Sequence, residues 1–339
     1  MKSKMSKKIP YQITFNEGTQ HSLLLQLKDT FGGTLHNKHH YTVNNEWVEG
    51  FVWYFSLQKG LEVTLNSLKF KNDHQMITLG ETKETARICF RFEHIGAVMQ
   101  GKKTKLGKDL GLTGNMIAYD TRLDFLVDIK KDTLNQWLAV RVDQEAVKYE
   151  HVSFTKYFGD VFNQSSLWWR TEIVPLEVQV QLKDAFGMSR EMHVPVFNNR
   201  LVARGSDCVS IFYDKLLSRN QIKEHSLHEQ DFTYMMDLKN KLLQSLERPP
   251  SLESLSEEYG FSVSKLRRDF EQVFGTSIHR FHYNFRLEKA KSMLATENKS
   301  ILEISRSCGF KSSTKFTEAF KKKFGVTPKM ISQRYQHLY

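Results

Sequence analysis

The sequence repeats itself near its C-terminal end. The stretch Ser251–Phe261 (SLESLSEEYGF) returns as Ser300–Phe310 (SILEISRSCGF). Leu252, Leu255, Ser256, Gly260 and Phe261 recur 49 positions later as Ile301, Ile304, Ser305, Gly309 and Phe310. Beyond the glycines the offset becomes 50, and Leu266, Phe270, Phe274 and Gly275 recur as Phe316, Phe320, Phe324 and Gly325. A period of this size marks a duplicated supersecondary unit. Each copy must therefore fold as the same small set of elements.

Those elements follow from spacing. Leu252 and Leu255, or Ile301 and Ile304, place apolar groups on one face of a short helix. Ser256 and Ser305 are small, which lets a second helix cross closely. Gly260 and Gly309 end the first helix, where a left-handed residue is cheap for glycine. The second helix carries Leu266, Phe270 and Phe274, or Phe316, Phe320 and Phe324, at intervals of four. One face is buried and the other is left free. Ser300 with Glu303 is a capping-box pattern, Ser251 follows the helix-breaking Pro249-Pro250, and Thr327-Pro328 is an N-cap followed by proline. Between the copies, Ile278, Phe281 and Phe285, then Tyr283, Leu287, Ala290 and Leu294, predict one long helix without Gly or Pro.

Helix, glycine turn, helix, present twice, is the outline of a tandem helix-turn-helix, and it points to DNA. Residues from about 235 to 335 resemble the DNA-binding domain of the AraC/XylS transcription regulators. The resemblance rests on Ser262, Leu266, Arg268, Phe270 and Gly275, then Arg286, Leu287, Ala290 and Leu294. It continues through Ile301, Ile304, Gly309 and Phe310 to Phe316, Phe320 and Phe324-Gly-Val-Thr-Pro328. Ile278 and Ser332 depart from that pattern. In a helix-turn-helix the N-terminal half of the second helix enters the major groove. In the first copy its free face offers Ser264, Lys265, Arg267 and Arg268; the resemblance implies base contact at Ser264, Arg267 and Arg268. An arginine can pair bidentately with guanine, whereas Arg268 has phosphate contact or a bracing role as alternatives. In the second copy the free face offers Ser313, Thr314, Lys315 and Glu318. Glu318 can accept from a cytosine amino group or pair with Lys322. Lys321, Lys322 and Lys323 suit the helix C-terminus and offer phosphate contacts.

Charge agrees with a polyanionic partner. Residues 231–339 hold 19 Lys+Arg against 12 Asp+Glu, a net +7 of the chain's +11. No apolar run reaches the roughly 18 residues of a membrane span. The N-terminal MKSKMSKK is basic, yet no apolar region follows, so no signal peptide is expected. Cys89, Cys208 and Cys308 are widely spaced and odd in number, which fits free thiols in a reducing cytoplasm.

The remaining two thirds read as β-rich. Trp47–Leu57, Leu61–Phe70, Met76–Leu79, Ile88–Phe92, Met116–Tyr119, Leu123–Ile129 and Trp137–Val142 alternate as strands of a β-sandwich or barrel. From about 174 the pattern turns helical, with one helix ending at Gly187 and a longer one over Asn198–Leu217 that contains Gly205. Polar Arg219–Gln230 reads as a linker. The fold class expected is thus multidomain α+β. Residues 1–170 would be a β-rich, barrel-like effector-sensing domain, 171–226 a helical dimerisation segment and linker, and 231–339 the all-α double helix-turn-helix.

Other constellations are weaker. His36, His39 and His40 raise a metal site, but no further ligands stand at suitable spacing, so a polar loop is favoured and no metal is expected. Trp168-Trp169-Arg170 suits core packing or an interface. No Gly-rich phosphate loop, Ser/His/Asp pattern or Cys pair appears, so neither a cofactor nor catalysis is expected. A DNA-acting enzyme with a borrowed DNA-binding module, or a metal-dependent barrel enzyme, is the alternative. The partners expected are double-stranded DNA, a second copy in a homodimer, an unidentified small-molecule effector and, should the protein activate transcription, RNA polymerase.

Overall fold

The computed structural model describes residues 11–37, 39–58, 60–95, 100–101, 115–143, 169–188, 191–217 and 249–335, with short stretches between 234 and 246. The chain divides into two compact units. Residues 1–174 and 178–218 make the first; 219–339, with 175–177, make the second.

The first unit contains β1 (Gln12–Asn16), α1 (Gln20–Phe31), β2 (Thr34–His36), β3 (His40–Asn44), β4 (Val48–Gln58), β5 (Leu61–Phe70) and β6 (His74–Leu79). It continues with β7 (Ile88–Ile95), β8 (Gln100–Gly101), β9 (Asn115–Asp120), β10 (Phe125–Ile129), β11 (Leu134–Val142) and β12 (Trp169–Ile173), and ends in α2 (Leu176–Gly187) and α3 (Val194–Leu217). One sheet runs β1-β6-β10-β8, the other β12-β9-β7-β11-β5-β4-β3-β2. The larger sheet is antiparallel throughout, whereas β1 joins β6 in parallel.

Period-two alternation divides the side chains of the larger sheet. Val63 and Leu65 of β5, Phe90 and Phe92 of β7, and Leu138 and Val140 of β11 face one way. There they form a core with Leu182 of α2 and Leu201, Val209 and Phe212 of α3. On the opposite face, Leu68, Phe70, Val52 and Tyr41 pack with Ile13 and Phe15 of β1, Ile129 of β10, and Leu24 and Phe31 of α1. The larger sheet is thus buried on both sides, which is why β5 reads as nearly continuous buried residues.

Gly205 lies inside α3. A Cβ there would stand 3.1 Å from Val140 Cγ2 and 3.3 Å from Val63 Cγ1. The glycine lets the helix settle on the sheet, so its helix-weakening tendency is offset by packing. The helix also starts earlier than Asn198, because Pro195 falls in its first turn, where a missing N–H costs little. Leu201, Val202, Val209, Phe212 and Leu216 are all buried in the core with the sheet. That apolar stripe is therefore occupied within the unit. Val194 and Val196, at 52% and 48% exposure, are the large apolar residues that α3 leaves exposed. The predicted linker, Arg219–Gln230, and Trp168 lie outside the described residues.

His36 and His40 are paired in register across β2 and β3. His36 Nε2 meets Thr42 Oγ1 at 2.9 Å, and the His40 ring stacks on Trp53 at 3.8 Å. Among the described residues no group of three or more His, Cys, Asp or Glu is arranged to hold a metal ion. No helix among them is long and apolar enough to cross a membrane.

The second unit is helical: α4 (Leu252–Tyr259), α5 (Val263–Phe274), α6 (Ile278–Thr296), α7 (Ile301–Ser307), α8 (Ser313–Phe324) and α9 (Pro328–Tyr335). The α6 helix packs against α5, α7 and α9, so both halves of the repeat rest on it.

Candidate nucleic-acid interface

Serine starts five of these helices. Ser251, Ser262, Ser277, Ser300 and Ser312 each accept an N–H from three residues on, satisfying a donor that the helix itself leaves unpaired. Ser300 and Glu303 complete the capping box: the Ser300 amide donates to Glu303 Oε2 at 2.8 Å, and the Glu303 amide donates to Ser300 Oγ at 3.2 Å. The hydroxyl and amide of Ser300 hold the Glu303 carboxyl below its ordinary pKa. Gly260 adopts φ 67°, and Phe261 N–H then reaches Ser256 O at 3.1 Å. The second copy repeats the return bond, from Phe310 N–H to Ser305 O at 2.9 Å. The change of offset has a location. Caps Ser251 and Ser300 differ by 49, caps Ser262 and Ser312 by 50, and Lys311 is the extra residue, in the second turn.

Aromatic groups pack each helix pair, and an α6 ring meets each cluster: Phe281 the first, and Tyr283 the second, 5.9 Å from Phe310. Phe270, Phe274 and Phe281 form a ring cluster with centroids 4.4–5.3 Å apart. Phe310, Phe316, Phe320 and Phe324 form its counterpart at 4.5–5.5 Å. Cys308 is fully buried there, 3.7 Å from Met293 Sδ. Polar ties add direction. Arg286 Nε donates to Cys308 O at 2.6 Å, and its guanidinium lies 4.1 Å from the centre of the Phe310 ring. Burial there lowers the Arg286 pKa. Arg286 thus closes a carbonyl at the end of α7.

With these faces buried, what remains exposed on α5 and α8 is set. On α5, Ser264, Arg267 and Arg268 are exposed. Arg267 makes no hydrogen bond or ion pair with the described residues. Arg268 Nε donates to Asp269 Oδ1 at 3.1 Å while its side chain stays 69% exposed. Lys265 is different. Its ammonium is bound to the carboxylate of Asp269 and sits 4.5 Å from the Phe261 ring centre. It braces the helix it was expected to project from. Asp269 itself is buried, a feature the sequence reading missed; an acid on the apolar side of α5, four residues after a lysine, was the available signal.

On α8, Thr314, Lys315, Glu318, Lys321 and Lys322 are exposed, and Ser313 is half-buried with its carbonyl accepting from Thr317 Oγ1 at 2.9 Å. Glu318 and Lys322 form no ion pair. The lysine run divides: Lys323 donates to Asn284 O at 2.9 Å and pairs with Glu288 at 3.1 Å, whereas Lys321 and Lys322 point to solvent. Two helices of one unit therefore present short polar and cationic faces, each on a pinned backbone.

Residues 255–334 match the family model described as a helix-turn-helix domain. The chain is 34% identical over 98 residues to the HTH-type transcriptional activator RhaR of Pectobacterium carotovorum, covering 29% of this chain and 34% of that protein. It is 41% identical over 70 residues to the xylose operon regulatory protein of Escherichia coli, covering 21% of this chain and 18% of that one. The chain thus spans about a third or less of the length of these relatives. A solved AraC-type DNA-binding regulator from Chromobacterium violaceum is 25% identical, with a TM-score of 0.28, over 32% of this chain and 93% of that one. Repeat, caps, ring clusters and family match coincide on one segment, and residues 255–334 form a helix-turn-helix domain.

Proposed function

We propose that this protein is a sequence-specific DNA-binding transcription regulator in which α5 and α8 read successive major grooves. The observation that carries the proposal is the pair of exposed polar helix faces on one helical unit, joined through α6. That helix has 19 residues, about 28 Å at the usual rise per residue, comparable to the ~34 Å between successive turns of a groove. Arg267 and Arg268 serve as base or phosphate contacts in the first copy, together with Ser264. Ser313, Thr314, Lys315 and Glu318 serve in the second, and Lys321 and Lys322 bind phosphate. Activation fits the name of the RhaR relative. The N-terminal region, residues 1–170 with the helical segment and linker 171–226, senses a small effector and joins two copies into a homodimer. A mostly apolar cavity of about 130 Å³ between its two sheets favours the first role. For the second, the outer side of α3 around Val194 and Val196 is the available surface. An effector acts by binding one arrangement of the dimer better than another. The setting is the cytoplasm, no catalytic step is assigned, and RNA polymerase is the further partner at activated promoters.

Hydroxyl-radical footprinting of the full chain on a site selected from random DNA tests the core of this reading. Two protected grooves one turn apart on one face are expected per chain; protection of a single groove overturns it. Sedimentation at micromolar concentration, with and without DNA, tests the dimer, which a monomer under both conditions removes.

A further inference from the structure

Between the two sheets of the first unit lies a cavity of about 130 Å³. Most of its wall is apolar, from Phe15, Leu24, Leu68, Met76 and Ile129 among others. Two cations, Arg141 buried and Arg91 partly buried, interrupt that wall. Arg91 of β7 and Arg141 of β11 both line the cavity. Arg91 stands opposite Ala139 in the strand register, and Arg141 opposite Cys89, so the two arginines occupy diagonal positions on the same sheet face.

Each arginine already has a carboxylate. Arg141, with a side chain only 7% exposed, is bound to Glu17, itself 3% exposed. Arg91 Nε lies 3.4 Å from Glu93 Oε1 without hydrogen-bond alignment, and its guanidinium rests 4.2 Å from the centre of the Trp137 ring. Charge is therefore balanced, and an incoming anion would be buried without a counterion of its own. What is left over is directional. The Nε–H groups of Arg91 and Arg141 are buried and have no hydrogen-bond partner. An unpaired buried donor is costly, and an acceptor from a ligand removes the cost.

We propose that this cavity binds a compact, uncharged molecule of about one six-membered ring, apolar in body, whose carbonyl or hydroxyl oxygen accepts from Arg91 or Arg141. The size follows from comparison with an apolar cavity of about 150 Å³, which takes up benzene. Water would meet the donors but leave the apolar walls wet. This assignment of ligand class rests on the sensing role proposed above and specifies its chemistry.

Calorimetry on the full chain with three probes tests it: cyclohexanone, a neutral acceptor; cyclohexanecarboxylate, an anion of similar shape; and methylcyclohexane, which has no acceptor. Cyclohexanone should bind with a Kd below roughly 1 mM, within the efficiency open to a ligand of so few atoms. The carboxylate and the hydrocarbon should each bind at least about tenfold more weakly. Ala139→Leu, which grows into the cavity between the arginines, should abolish cyclohexanone binding while leaving DNA affinity unchanged. Arg91→Lys keeps a cation beside Glu93 but removes the Nε–H, and should weaken binding about three- to tenfold. Carboxylate binding as tight as that of cyclohexanone overturns the ligand class. So does binding unaffected by Ala139→Leu, or the absence of binding by all three probes. DNA affinity and footprint measured with saturating cyclohexanone separate the two ideas. Binding lost in Ala139→Leu but without effect on DNA upholds this site and removes the sensing role.

Discussion

Lys265 and Arg267 stand two positions apart on α5, and their surroundings give them opposite duties. Lys265 is bound to Asp269, whose side chain is 1% exposed. Replacing Lys265 by Ala leaves Asp269 with Arg268 alone, held at 3.1 Å by a side chain that is 69% exposed. Removing one partner from a fully buried ion pair costs about 3–5 kcal/mol. Lys265 is itself 28% exposed and Arg268 remains, so solvent screening reduces the expected loss to about 1–2 kcal/mol. Arg267 has no partner among the described residues, and Arg267→Ala should change stability by less than about 0.5 kcal/mol. DNA binding should reverse the order. Arg267→Ala should lose about 1–3 kcal/mol, roughly 5- to 150-fold, on the preferred site and relax base choice at one position. Lys265→Ala, measured where it is folded, should keep its base preferences. Urea unfolding followed by helical circular dichroism, with titrations on the preferred site and its single-base variants, measures both quantities. A stability loss above about 1 kcal/mol in Arg267→Ala, or a changed base preference in Lys265→Ala, refutes this division.

Lys322→Ala should weaken binding to all sequences alike and flatten the salt dependence by about one unit of slope, while Lys323→Ala should chiefly lower stability because Asn284 and Glu288 hold that side chain. Gly205→Leu should destabilise the first unit by about 1–3 kcal/mol, since even a Cβ meets Val140 and Val63; a urea midpoint equal to wild type would contradict the close approach of α3. Burial pushes the Cys208 thiol from 9.0 up to about 12 and the Cys308 thiol up to about 11. Both thiols hold their proton more tightly folded than unfolded, so their contribution to stability is full below pH 9 and is lost as pH rises towards 11–12. Native protein at pH 8 should accordingly resist thiol reagents that label it at once in denaturant.

The second unit was legible because its signals are local. Each helix carries its own serine cap, each turn its glycine, and the buried faces repeat at intervals of four. The first unit was legible only in part. Seven strands announced themselves by alternation, but β1, β2, β3, β8 and β12 did not: β2 has three residues and β8 two. Helix α1 was missed because only Leu24 and Phe31 of its apolar residues are fully buried, leaving a weak stripe. The cavity was invisible for a different reason. Glu17 and Arg141 are 124 residues apart, and only the pairing of β7 with β11 sets Arg91 beside Ala139 and diagonal to Arg141. Strand register is decided by long-range pairing, which no short window of sequence displays.

Helices α5 and α8 match in length and in their serine and glycine caps but differ in charge. Shifted by 50, Lys265 corresponds to Lys315, and Asp269 to Ala319. The first lysine is bound to its buried acid; the second has no such acid and is exposed. One substitution between copies thus decides whether a lysine at the same helical position is bound to a buried acid or exposed. Asp269→Ala gives the first copy the arrangement of the second and releases both Lys265 and Arg268. Stability should suffer less than in Lys265→Ala, because the buried charge leaves together with its partners' obligation. Affinity for DNA of any sequence should rise at low salt, and its salt slope should steepen by about one unit for each released cation that reaches a phosphate. Binding measured from 50 to 200 mM salt reads this directly. An unchanged slope would mean that geometry, and not Asp269, keeps Lys265 from the duplex.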